Sequence, residues 1–103
     1  MKLILTLLFA LQSTAALALA VEIMGPGFST CGTWSKSQDH QLFMSWTNGY
    51  LSGLSVARQR NVLKSVDFAA IEAWMNNYCQ ANPLDKVIDA ATALFDELNS
   101  RSK

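Results

Sequence analysis

The chain has 103 residues, half of them apolar, and its 8 basic residues balance its 8 acidic ones. A net charge this close to zero gives no reason to expect binding to nucleic acid or bulk binding to a membrane surface. One histidine and two cysteines are too few ligands for a structural zinc site, which takes about four, and no phosphate-cradling glycine loop or other cofactor signature is present.

The first 20 residues read as a secretory leader: Lys2 precedes the apolar run Leu3 to Leu11, and Ala18-Leu19-Ala20 supplies a cleavage site. Cleavage after Ala20 leaves Val21 to Lys103, 83 of the 103 residues, as a periplasmic or secreted protein. The alternative is an uncleaved N-terminal anchor, but a span takes roughly 20 apolar residues, and Gln12, Ser13 and Thr14 interrupt this run. Nothing beyond Val21 is apolar enough to span a bilayer, so the mature chain is expected to make no stable membrane insertion. In an oxidising compartment Cys31 and Cys79 permit a single intramolecular bridge. They lack the C-x-x-C spacing of a redox pair, so the bridge reads as structural.

Residues 21–36 read as an irregular N-terminal segment. Gly25-Pro26-Gly27 punctuates it, and turn formers surround Cys31, with room for one short element near Trp34. Residues 37–103 read as a helical domain tied to that segment by Cys31–Cys79. Its first helix begins near Ser37 and places Phe43, Trp46, Tyr50, Leu54 and Ala57 on one face. Gly49 and Gly53 share that stripe. Each glycine costs a helix roughly 1 kcal/mol against alanine, so the pair predicts close approach by another helix or by the N-terminal segment, or else a small-residue groove for a ligand or partner. Arg58, Arg60 and Lys64 follow with no acid among them, as a connecting loop or frayed helix end; a site for an anion or acidic partner is the alternative.

Asp67 then makes an N-cap for a short helix carrying Ile71, Trp74, Met75 and Tyr78, which Cys79 closes. Asn82-Pro83 opens the last helix, Asn82 as cap and Pro83 in the first position, with Asp85 adding a favourable charge to the first turn. Leu84, Val87, Ile88, Ala91, Leu94, Phe95 and Leu98 form its apolar face, with Asp89, Asp96 and Glu97 toward water. The fold class is all-α: a small single-domain helical bundle of three main helices with one disulfide. Catalysis finds no support in the sequence. His40 is the single histidine, it reads as an exposed residue in the first turns of its helix, and no nucleophile elbow is present. The protein is expected not to be an enzyme.

The leader, Cys31 in a short N-terminal segment, the distant Cys79 and the run Tyr78-Cys79-Gln80-Ala81-Asn82-Pro83 resemble the HdeA/HdeB group of small periplasmic helical proteins. That resemblance implies an all-helical domain and an acid-activated chaperone, a folded dimer that opens and holds acid-denatured proteins soluble. The chain departs from the group in carrying only 16% charged residues and in placing Gly32-Thr33-Trp34 after the first cysteine. Gly49-Tyr50-Leu51-Ser52-Gly53, with Asn82-Pro83 and an alanine-rich last helix, is similar to the Rap1a/Tai immunity proteins, which neutralise secreted peptidoglycan-degrading effectors. Those commonly carry a cysteine just before the Gly-Tyr pair, where this chain has Trp46-Thr47-Asn48. Either resemblance implies a protein partner, an unfolded client or a secreted effector. The motif and packing residues are Trp46, Gly49, Tyr50, Gly53, Trp74, Tyr78, Asn82 and Pro83. A chaperone must open in acid, for which Asp67 and Asp85 are the candidate caps, because helix N-termini favour charged carboxylates. An immunity protein needs a rigid surface, for which the Arg58–Lys64 connection and an exposed Trp34 are the candidates.

Overall fold

The computed structural model describes residues 21–102, and the expected leader, residues 1–20, lies outside them. Short polar side chains start three of the four α-helices. Thr30 accepts from the Thr33 amide at 3.2 Å and opens α1, Cys31–Lys36. Asp39 accepts from Leu42 at 3.1 Å and opens α2, His40–Arg58. Asp67 accepts from Ala70 at 2.8 Å, as expected from the sequence, and opens α3, Phe68–Ala81. The fourth, α4, runs Val87–Arg101, and the Asp89 carboxylate reaches back to the Lys86 amide at 3.0 Å. Each bond satisfies an amide that the first turn leaves free.

The helices bury one shared core. Helices α2 and α3 both lie against α4, while α1 lies against α3 and α4. Trp34 of α1 is 1% exposed, donates its indole hydrogen to Asn76 Oδ1 at 2.8 Å and meets the Phe43 ring edge-on. Met44 and Leu51 of α2, Met75 of α3 and Phe95 of α4 complete the centre. Cys31 and Cys79, both fully buried, are bonded to each other, as the cysteine count implied. The bond closes a loop across 48 positions of sequence, a constraint that stabilises by ~4 kcal/mol in the chain-entropy account. The all-α, disulfide-tied bundle expected from the sequence is the observed architecture, with no strand among the described residues.

Three local expectations need correction. Residues 21–36 are not irregular throughout: Gly25–Phe28 forms a 3-10 turn with Pro26 near its start, and α1 occupies Cys31–Lys36 around Trp34. On α2 the buried face is centred on Met44, Thr47 and Leu51, one residue further along than the expected stripe. One residue turns a helix by about 100°, which leaves Trp46, Tyr50 and Leu54 flanking the core and Ala57 exposed. A count of apolar residues misses this because Thr47, at the centre, is polar.

The third correction concerns the last helix, which starts at Val87 rather than Pro83. Asn82 closes α3 instead, its backbone and side-chain nitrogens both donating to the Tyr78 carbonyl. The following carbonyls are committed elsewhere. Pro83 O accepts from Gly32 at 2.9 Å, and Asp85 O accepts from Cys31 at 2.7 Å. The Val87 amide in turn donates to Ser29 O at 2.8 Å, so two short segments run antiparallel through the Thr30–Lys86 bridge. Leu84, expected on the core face, is therefore 91% exposed.

Thr47 is fully buried and its hydroxyl has no hydrogen-bond partner. Burying a hydroxyl unpaired costs on the order of 1–3 kcal/mol, while a same-shaped apolar group avoids that cost. Thr47→Val is expected to stabilise the domain by ~1 kcal/mol, seen as a rise in Tm of about 4–8 °C. A lower Tm in calorimetry would show that the hydroxyl is satisfied after all.

Candidate functional site

The most distinctive surface is built where residues 21–28 cross α2. Trp46 and Tyr50 stack on each other, 5.1 Å between ring centroids and 11° from parallel. Spaced one helical turn apart, they form a flat platform beside the core. The Tyr50 hydroxyl shares a 2.7 Å hydrogen bond with Thr92 Oγ1 on α4, and Thr92 in turn donates to Ile88 O. The Trp46 indole donates to the Met24 carbonyl at 2.9 Å. Gly27 is buried against the same ring: a Cβ there would overlap Cζ2 and Cη2 of Trp46. Gly25, with φ of 81°, turns the chain in a way that side-chain-bearing residues resist, and it too lies beside the indole.

This crossing strap shows its larger side chains to solvent. Val21, Met24 and Phe28 are 73%, 79% and 59% exposed, and the Lys86 ammonium lies 3.7 Å from the centre of the Phe28 ring. Behind the strap, the Ser29–Gly32 backbone pairs with Pro83–Val87 and ends at the disulfide. The strap is thus covalently secured at its C-terminal end and held over Trp46 by one side-chain hydrogen bond and close packing.

A second aromatic pair lies on α3. Trp74 and Tyr78 stack at 5.3 Å, and the Tyr78 hydroxyl donates to Asp85 Oδ2 at 2.6 Å. The hydrogen bond to Asp85, then burial, then the charges of Asp85 and Asp89 push the Tyr78 phenol up to about 12. Asp85 therefore braces the α3–α4 connection and is not a charge in the first turn of a helix, as the sequence had suggested. Trp74 also borders a shallow apolar groove with Val66, Ile71, Leu94 and Leu98.

The remaining expected residues separate. Gly49 and Gly53 meet no neighbour, since a Cβ on either would have nothing within 4 Å, so the expected close approach does not occur there. The glycine against an aromatic ring is Gly27, which the sequence presented as turn punctuation. Arg58 pairs with Asp96 at 3.6 Å and covers the Phe95 ring, while Arg60 donates to Asn99 at 2.8 Å. The basic connection is thus partly tied to α4. Trp34, a candidate exposed anchor, is in the core. His40 opens α2 with Nδ1 3.6 Å from Glu72 of α3. Among the described residues no three His, Cys, Asp or Glu side chains converge in a metal-binding group, and no helix is long and apolar enough to cross a membrane.

No family model, curated protein or solved structure matches the chain.

Tyr78 offers a direct test of the α3–α4 brace. Its folded-state pKa lies above the unfolded value, so its contribution to stability is complete below pH 10 and is lost as pH rises toward about 12. Tyr78→Phe is expected to flatten the loss of stability over that range, measured by urea unfolding at successive pH values. An unchanged slope would show that the Tyr78–Asp85 contact does not couple to folding.

Proposed function

We propose that this is an exported protein of the periplasm or secreted space that opens in acid and holds unfolded proteins soluble. The observation that carries the reading is the placement of its carboxylates. Seven of the eight acidic side chains make a hydrogen bond or an ion pair, leaving aside Glu22 in the strap. Asp39, Asp67 and Asp89 accept amide hydrogens at the starts of α2, α3 and α4. Glu72 faces His40 between α2 and α3, Asp96 faces Arg58 between α2 and α4, and Asp85 takes the Tyr78 hydrogen. Glu97 holds Arg101 within α4.

Acid removes the charge from the carboxylates at the helix starts and between the helices. Full protonation leaves seven basic side chains, His40 and the N-terminus of the mature chain charged, about +9 in all, which favours expansion by self-repulsion. Opening would bare the Met44, Leu51, Met75 and Phe95 surface for client binding while the disulfide keeps α1 beside α3. The resemblance to the acid-activated periplasmic chaperones points the same way, including their opening from a homodimer. For the immunity-protein alternative, the two candidate surface elements are lost in part: Trp34 is buried, and Arg58 and Arg60 are engaged.

The oxidised mature domain is expected to suppress light scattering from a periplasmic client at about pH 2–3, and on neutralisation, but not at pH 7 throughout. No suppression in acid, or co-aggregation with the client, would end this reading.

A further inference from the structure

We infer that the Trp46–Tyr50 face of α2 is a binding surface for an extended polypeptide segment, and that the strap of residues 21–28 occupies it as an internal substitute. The inference rests on the chaperone reading above and names a second surface, beside the core bared by opening, that a client would use.

The strap is recognised through its backbone: the Trp46 indole takes the Met24 carbonyl, and the ring lies against Gly25 and Gly27. A carbonyl and a bare stretch of main chain are present in every polypeptide, so such a contact reads little sequence. The platform is also set in place before anything binds, because Tyr50 stacks on Trp46 and is anchored to Thr92. Preset aromatic surfaces bind without ordering their own side chains, which removes one cost of association.

The strap lies against α2 and α4, and Gly27 is its one fully buried residue, while Val21, Met24 and Phe28 turn their apolar side chains outward. The chain beyond it stays in place, since the Ser29–Gly32 pairing and the Cys31–Cys79 bond fasten the next residues to α3 and its connection to α4. The occupant that fits is accordingly an extended, apolar segment of an unfolded protein with a glycine or small residue at the indole. A tethered competitor has an effective concentration in the mM range. The seated strap therefore lowers the apparent affinity for such a segment in proportion to the time it spends bound.

Gly27→Ala drives a methyl into the Trp46 ring while leaving both cysteines and the α2–α4 core unchanged. Hydrogen exchange at the amides of residues 25–28 is expected to rise in the variant. At pH 7 it should bind reduced, carboxymethylated α-lactalbumin roughly tenfold more tightly than the wild type does. Adding Trp46→Ala should abolish that gain. As a check independent of any variant, a free peptide of residues 21–29 at about 1 mM should reduce capture of the same probe by the wild-type protein in acid. The proposal is overturned if Gly27→Ala leaves the strap seated, if unseating it brings no tighter binding, or if the peptide does not compete. Should the wild type still suppress scattering in acid, such a result removes only this surface assignment. Absence of that suppression overturns the chaperone reading and this surface together.

Discussion

The bond between Cys31 and Cys79 holds together two parts of the chain that local sequence preference would not join. Helix α1 has six residues and α3 has fourteen, and isolated helices of that length are marginal in water. Fastened to each other, they bring Trp34 over Asn76 and Phe43, and they align Ser29–Gly32 with Pro83–Val87. That alignment consumes the carbonyls of Pro83 and Asp85, which sets where α4 begins. It also aims the preceding residues across α2. The core, the helix start and the strap share one covalent constraint.

Polar contacts then set how the bundle responds to its surroundings. Carboxylates stand at the start of every long helix and between α2 and both α3 and α4. The disulfide does not titrate. The Trp46 platform adds a further layer, because its present occupant is a length of the same chain.

Much of the fold was legible in the residues. The bridge followed from there being two cysteines and one way to pair them, and Asp67 was readable as a cap because its side chain acts three residues away. The helical character of residues 40–58, 68–81 and 87–101 followed from apolar spacing. Less of the candidate site was legible. Trp46 and Tyr50 were on the page as a motif, but their partner Gly27 is 19 positions from Trp46 and resembles any turn glycine. A glycine-proline-glycine run close to a cysteine and upstream of an aromatic helix is the one signal that a close backbone approach leaves in sequence.

What the sequence by itself determined was local or combinatorial: helix periodicity, one cap and one bridge. These depend on side chains within a turn of one another, or on there being a single way to pair two thiols. Tertiary structure alone decided the rotation of α2 about Met44, Thr47 and Leu51, the late start of α4 and the open surroundings of Gly49 and Gly53. A helix with apolar residues on adjacent faces can bury either, and the choice falls to the neighbours that pack against it. Likewise, Asn82-Pro83 satisfies the rules for a helix start, but Gly32 and Cys31 claim the carbonyls that follow. Hydrogen bonds formed 51 and 54 positions apart leave no local trace, and here they overrule the local preference.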